Sequence, residues 1–412
     1  MSLNNSRLLP LKNKEFKLFL TTRASLTIAL QIQAVIAGWH IYKLTGDPLS
    51  LGLIGLAEAI PAISIALYAG HVADISSKRK ILVNSLLMLM FCSVGLTAVS
   101  SDLFVFGFSE SWSVNAMYMF IFISGFARGF YAPAGFSFIV QLVEKQQLVT
   151  ASTLNSSVWQ MAAILGPALG GALYALVGIT YTFFVVLFFT LIALTALLNI
   201  KPKPIASKMG AETISFRLKE GLRFVFNNKV VLSAISLDLF AVLFGGAVAL
   251  LPVFAKEILA VGPQGLGLLR AAPSLGASIT MIWLSMRSPI EKPGIVLLFC
   301  VAAFGLSMIG FALSTSFYLS IFMLFLSGAF DSVSVIIRGN ILQLQTPDEM
   351  RGRVSAVNSM FIGSSNEIGS FESGVAAKLL GTVPSVVFGG CVTLLVVGIT
   401  SIKAPQLKRF KY

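Results

Sequence analysis

Long apolar stretches alternate with short polar turns along the whole chain. Each stretch has about 20 residues, which is the length an α-helix needs to cross the roughly 30 Å hydrocarbon core of a bilayer. The pattern predicts twelve spans, numbered in chain order: 17–42, 49–72, 81–99, 115–137, 150–177, 179–199, 230–254, 264–285, 294–313, 316–340, 354–380 and 384–402. The first follows a polar stretch without an A-x-A-like cleavage site and is too long for a signal-peptide core, so we expect it to be retained.

Composition supports a membrane protein. The chain is 56% hydrophobic and 11% charged, whereas soluble domains carry about 25% charged residues. Most of the 30 Lys and Arg residues fall in segments on the side of the N-terminus, and only Lys43, Lys256 and Lys378 fall on the other side. This asymmetry predicts a multi-pass membrane protein with both termini in the cytoplasm. It also explains the net charge of +13 without a nucleic-acid partner.

Few residues are suited to catalysis or metal binding. Cys92, Cys300 and Cys391 lie in three different spans, and the chain has two histidines, so we expect neither a disulfide framework nor a metal centre. No G-x-x-x-x-G-K-[ST] phosphate loop occurs. We therefore predict no cofactor and no enzymatic activity, and we expect an ion gradient to supply the energy.

The longest polar interruption, residues 201–229, divides the spans six and six. It contains an amphipathic stretch with Ile214, Leu218, Leu222 and Val225 on one face, which predicts a helix on the inner membrane surface. The predicted organisation is therefore an N-terminal half (1–200), a linker (201–229) and a C-terminal half (230–412).

The two halves repeat each other in sequence. GLAEAIP (Gly55–Pro61) matches GLLRAAP (Gly267–Pro273), and FISGFAR (Phe122–Arg128) matches FLSGAFD (Phe325–Asp331). A weaker match at the entries to spans 5 and 11 has similar spacing. The pattern predicts an all-α membrane protein with twelve transmembrane helices in two pseudo-symmetric six-helix halves.

Several ionisable residues lie inside predicted spans, where each costs at least about 2.5 kcal/mol unless it has a partner or a hydrated cavity. They are Arg23, Glu58, Arg128, Asp238, Arg270, Asp331, Glu367 and Glu372. In the repeat, Glu58 occupies the position of Arg270, and Arg128 that of Asp331. We hypothesise ion pairs that break and reform while a carboxylate binds a proton; static pairing that fixes helix packing is the alternative. Arg338 lies close to the inner end of its span and is set aside.

Three motifs resemble those of the major facilitator superfamily. The loop GHVADISSKRK resembles the signature turn of that superfamily, with its matching residues at Gly70, Asp74, Arg79 and Lys80, although Ser77 replaces a second glycine. Span 4 carries Arg128 in GFARGFYAPA, similar to the intramembrane arginine linked to proton coupling.

In span 5, LGPALGG is similar to the motif of antiporter-type exporters, and its residues are Gly166, Pro167, Gly170 and Gly171. The stretch LQLQTPDEMRGRVSAVNSMF resembles the branch that contains the enterobactin exporter and the macrolide efflux proteins.

This resemblance implies a proton-coupled antiporter that exports a small amphipathic molecule, a siderophore or a drug-like compound, by alternating access. The candidates for proton coupling or ion pairing are Glu58, Arg128, Asp238, Arg270, Asp331 and Glu367. The candidates for a substrate cavity are Arg23, Gln31, Arg128, Asp238 and Asp331.

The substrate charge stays open, because the arginines suit an anionic siderophore and the aspartates a cationic drug. One alternative is an importer of a nutrient or iron-siderophore on the same fold. Another is a membrane sensor or lipid-handling enzyme that transports nothing. We expect protons and lipid as partners and a monomeric protein.

Overall fold

The computed structural model describes residues 9–100, 109–204, 214–287, 290–347 and 350–410, and these ranges contain helices and no β-strand. The chain divides into two compact units. Unit 1 comprises Met1–Leu44 and Ala57–Ala211, and unit 2 comprises Thr45–Leu56 and Glu212–Tyr412.

The first six long helices run from residue 14 to residue 198. They are α1 (Lys14–Thr45), α2 (Pro48–Ile75), α3 (Lys78–Ser100), α4 (Glu110–Ile139), α5 (148–177) and α6 (179–198). The helical range Leu148–Leu198 breaks into α5 and α6 at Gly178, whose φ of 77° lies in the left-handed region that favours glycine. The predicted boundary between spans 5 and 6 falls at this residue.

The remaining helices lie in unit 2. They are α7 (Ile214–Asn227), α8 (Lys229–Gly245), α9 (Gly262–Ser285), α10 (Pro293–Leu313), α11 (Phe317–Gln345), α12 (Arg351–Leu380), α13 (Thr382–Lys403) and the short α14 (Pro405–Arg409). Helices α1–α6 and α8–α13 form two sets of six, so the predicted twelve-helix architecture is confirmed.

Within the described residues, nine segments are long and apolar enough to cross a membrane, and one of them, Lys145–Leu198, contains both α5 and α6. Helices α4 and α12 are not among the nine. Both carry polar groups inside their length, Arg128 in α4 and Glu367 and Glu372 in α12.

Span 7 differs from its prediction as one continuous helix over 230–254. Helix α8 ends at Gly245, and the chain continues through a 3₁₀ turn (Ala247–Leu250) and a π-helical turn (Phe254–Ile258). Gly246 has an extended backbone and Pro252 lacks a donor N–H, so the regular hydrogen-bond ladder is interrupted here.

The sequence repeat reappears as an equivalent helix contact in each unit. In unit 1, a β-carbon at Gly125 of α4 would lie 2.6 Å from the carbonyl oxygen of Glu58, next to the Pro61 ring on α2. In unit 2, a β-carbon at Gly328 of α11 would overlap the backbone of Pro273 on α9. Gly125 and Gly328 occupy equivalent positions in the sequence repeat, and so do Pro61 and Pro273. Each glycine lets two membrane helices approach at backbone distance.

Helix α7 packs on protein along the part of its apolar face that the structure describes. Val225 is 1% exposed and joins a cluster with Val231 of α8 and Val357 of α12, while Leu222 packs against the same cluster. Glu220 forms an ion pair with Arg353. Protein, rather than the expected lipid surface, therefore covers this part of the face.

The loop between α1 and α2 is joined to the end of α12 within unit 2. The Lys378 Nζ donates to Asp47 Oδ2 at 2.7 Å, and the Leu49 N–H donates to Asp47 Oδ1 at 3.0 Å. The hydrogen bond from Lys378 holds the pKa of Asp47 below its ordinary value of 3.8. Nearby, Gly52 and Gly374 let the two helix backbones meet.

We expect Gly328→Ala to destabilise the protein by about 1–3 kcal/mol, because the added methyl group overlaps the Pro273 backbone. The matched control is Gly339→Ala on the same helix, where a β-carbon meets nothing within 4 Å. There the helix propensity of alanine should leave the melting temperature unchanged or raise it. Thermal melts of the purified variants check this, and equal melting temperatures would contradict the packing role of Gly328.

The Asp47–Lys378 pair should make stability depend on pH in one direction. Because its folded-state pKa is lowered, Asp47 stabilises the protein above its unfolded pKa, and this contribution disappears as pH falls through the folded value. Asp47→Asn should therefore lower the melting temperature above about pH 5, and the difference should shrink below about pH 4. Glu144→Gln, which removes an exposed carboxylate elsewhere, is the control. A difference that stays constant down to pH 3 would contradict this role of the ion pair.

Candidate functional site

Two buried charges of unit 2 and a partly exposed aspartate form a group that we call the ion triad: Asp238 of α8 and Asp331 and Arg338 of α11. Arg338 forms an ion pair with Asp238, and its Nη2 lies 4.0 Å from the Oδ1 of Asp331. Asp238 and Arg338 are each 7% exposed, whereas the Asp331 side chain is 45% exposed. One guanidinium thus serves two carboxylates, and one of them is accessible.

Helical periodicity brings two members of the triad to one face of α11. Asp331 and Arg338 are seven residues apart on α11, and Ser334, whose carbonyl accepts a 3.3 Å hydrogen bond from Arg338 Nε, lies between them on the same face. Asp238 meets this face from α8. Two carboxylates beside one guanidinium give the triad a net charge of −1 when all three groups are ionised.

A small pocket opens beside the triad. Its lining includes Asp238, Asp331 and Ser334 together with Cys300 and Phe304. Its free volume is about 10 Å³, far below the roughly 300–1,000 Å³ of typical small-molecule sites. A space of this size holds about one water molecule and no organic substrate.

Arg338 is the residue that the sequence interpretation missed. It was set aside as lying near the inner end of its span, yet it is buried and paired. The repeat gave no hint, because the position equivalent to Arg338 in the first half is Gly135. The seven-residue spacing from Asp331 was the available signal.

A second pair lies in unit 1, where Arg128 of α4 forms an ion pair with Glu58 of α2. The close approach of the two helices at Gly125 brings these side chains together. The Arg128 side chain is 43% exposed and that of Glu58 is 19% exposed. The arginine therefore remains accessible while paired.

Three further ionisable residues of the predicted spans are half-buried. Arg270 lies on α9, and Glu367 and Glu372 lie on α12. The backbone of Glu367 borders the close approach of Gly55 to α12 within unit 2.

The remaining substrate candidates belong to α1. The guanidinium of Arg23 lies beside the hydroxyl of Tyr131 on α4. Gln31 packs its stem against Gly166 of α5, so it lies at the contact of α1 with α5.

The glycine-proline motif of α5 is a packing surface in unit 1. Gly166, Pro167, Gly170 and Gly171 are all buried. A β-carbon at Gly170 would lie 3.1 Å from the Cα of Ile32, so α1 and α5 approach at backbone distance along the motif.

The signature turn has a structural contact at one end. Arg79 Nη2 donates a 2.8 Å hydrogen bond to the carbonyl of Leu198, at the C-terminal end of α6, where a cation is favourable. Lys80 is exposed, and a β-carbon at Gly70 would meet nothing within 4 Å. The side chain of Asp74 lies outside the described part of the structure.

Comparison with known proteins identifies the family of this chain. The model of the transmembrane secretion effector family matches residues 5–411. The chain belongs to the transmembrane secretion effector family. It is a transporter of the major facilitator superfamily, embedded in a membrane and acting on small molecules.

Curated relatives include enterobactin exporters. The chain is 24% identical over 295 residues to EntS of Escherichia coli O1:K1, covering 71% of this chain and 70% of that protein. EntS of Shigella boydii serotype 18 matches to the same extent.

Solved structures at low identity share the fold. A POT family transporter in complex with 5-aminolevulinic acid has a TM-score of 0.75 at 12% identity, over 95% of this chain and 96% of that chain. A D-xylose-proton symporter has a TM-score of 0.73 at 14% identity, over 96% of this chain and 99% of that chain.

We expect Arg338→Gln to destabilise the protein by about 3–5 kcal/mol, because it leaves Asp238 buried without a cation. The double variant Arg338→Gln/Asp238→Asn should recover part of this loss, since no uncompensated charge remains. Thermal melts of the two single variants and the double variant measure the coupling. Additive losses would show that the two residues do not act as a pair.

Proposed function

We propose that this protein is a proton-coupled exporter of small amphipathic organic molecules, siderophores or drug-like compounds, in the bacterial inner membrane. It acts as a monomer with both termini in the cytoplasm. The ion triad is the observation that carries the coupling mechanism. The similarity to enterobactin exporters supports the outward direction.

Coupling follows from the charges of the triad. Asp331 is the accessible carboxylate and shares Arg338 with the buried Asp238. A proton arriving from the outside binds Asp331 and neutralises the triad. Arg338 then pairs with Asp238 only. When the site faces the cytoplasm, Asp331 releases the proton and regains Arg338. The electrostatic potential at Asp331 also depends on three charged residues of α9 and α12: Arg270, Glu367 and Glu372.

Substrate movement in the opposite direction closes the cycle by alternating access. Glu58 and Arg128 form a second ion pair in unit 1, and we assign it a supporting role. The second candidate function is proton-driven import, which the fold shared with a D-xylose-proton symporter favours.

Secretion from whole cells tests the direction. The chain is expressed in a strain that lacks its own exporters, and mass spectrometry follows enterobactin and a panel of toxic compounds. Export predicts more compound in the medium and less in the cell, together with greater tolerance. Accumulation inside the cell would favour the import alternative.

Asp331→Asn tests coupling in proteoliposomes loaded with a compound that the cells export. We expect efflux driven by a proton gradient to fall by about tenfold or more, because a group needed for one step is removed. Exchange of labelled for unlabelled compound without a gradient should survive, since it needs no net proton movement. Asp331→Glu, which keeps a titratable group, is the matched control. Unchanged gradient-driven efflux in Asp331→Asn would exclude Asp331 from coupling.

A further inference from the structure

The arginines inside the predicted spans differ in their partners. Arg128 forms an ion pair with Glu58, and Arg338 with Asp238. Arg23 of α1 instead lies beside the neutral hydroxyl of Tyr131 on α4. A guanidinium inside a membrane helix is costly without an anionic partner, so the position of Arg23 points to a ligand.

Three polar atoms on α1, α4 and α5 have unused hydrogen-bond capacity. The Nε of Arg23, the hydroxyl of Tyr131 and the Oδ1 of Asn155 are buried, and none makes a hydrogen bond of good geometry with the described residues. Tyr131 as a whole is 5% exposed. Buried polar groups are normally satisfied, so unused capacity of this kind is a mark of a binding site.

The three residues lie at similar distances from the ends of their helices. Arg23 is nine residues from the start of α1 at Lys14, Tyr131 is eight from the end of α4 at Ile139, and Asn155 is seven from the start of α5 at Leu148. With a rise of about 1.5 Å per residue, each lies roughly 10–14 Å inside its helix end.

The surroundings are apolar. Tyr131 belongs to a hydrophobic cluster with Leu26 of α1 and Ala151 of α5, and Leu154 packs against it. The guanidinium and the phenol hydroxyl are both hydrogen-bond donors, and an anionic oxygen accepts from both. The apolar cluster suits the hydrocarbon or aromatic body that carries this oxygen.

We propose that Arg23 and Tyr131 bind a carboxylate or phenolate oxygen of the transported molecule, with Asn155 as a supporting polar contact. This inference rests on the proposed function for the identity of its ligand as the transported molecule. It favours anionic over cationic substrates, a choice that the sequence left open.

Binding to the purified full-length chain tests the site with two probes that differ in charge. Dansylglycine carries a carboxylate on an aromatic body, and dansylglycinamide is its neutral counterpart. Dansyl fluorescence titrations should show tighter binding of the anion to the wild type. Arg23→Gln should weaken dansylglycine by about tenfold or more, the loss expected for a charge-assisted pair. It should change dansylglycinamide by less than about twofold.

Two further variants separate recognition from folding. Tyr131→Phe, which removes only the hydroxyl, should weaken dansylglycine selectively, and Arg23→Lys should retain part of the anion preference. Lys17→Gln removes an exposed positive charge from the same helix and should change neither probe. The inference is overturned if the wild type does not prefer the anion, or if Arg23→Gln affects both probes equally or neither.

Failure of this inference is distinguishable from failure of the proposed function. Selective, Arg23-dependent binding of dansylglycine without proton-driven export would refute the proposed function alone. Proton-driven export that is indifferent to Arg23→Gln and Tyr131→Phe would refute the anion site alone.

Discussion

The cost of placing charge in a medium of low dielectric governs this protein. A guanidinium or carboxylate inside a membrane helix must be paired, hydrated or protonated. Arg338 with Asp238 and Arg128 with Glu58 show the first solution. Asp331 is only partly compensated, because its Oδ1 lies 4.0 Å from an arginine that also pairs with Asp238, and in our proposal this carboxylate binds the proton.

Glycines let several of these helices pack closely. Gly125 and Gly328 bring α4 to α2 and α11 to α9 at backbone distance, and Gly166 and Gly170 do the same for α1 and α5. The contact at Gly125 adjoins the Arg128–Glu58 ion pair, because Glu58 itself borders Gly125.

The two units have different electrostatic roles in our proposal. Unit 2 holds the ion triad, which has two carboxylates and one guanidinium and which binds the coupling proton. Unit 1 holds Arg23 beside a neutral hydroxyl, where positive charge is left for a ligand. Duplication produced similar helices, and later substitution gave them opposite charges. Arg128 and Asp331, which occupy equivalent positions in the repeat, are an example.

The sequence by itself determined the twelve helices, the six-plus-six division and the break at Gly178, because hydrophobic length and glycine conformation are local properties. It also identified Glu58, Arg128, Asp238 and Asp331 as unusual, since the cost of burying a charge depends on its residue type and its position in a span. Only the tertiary structure decided which charges meet. Arg338 and Tyr131 gained their importance from neighbours on other helices. The described part of the apolar face of α7 packs against protein instead of lipid, and α8 ends at Gly245, before Gly246 and Pro252, instead of continuing to residue 254. Such outcomes depend on packing between distant segments, which a local pattern does not encode.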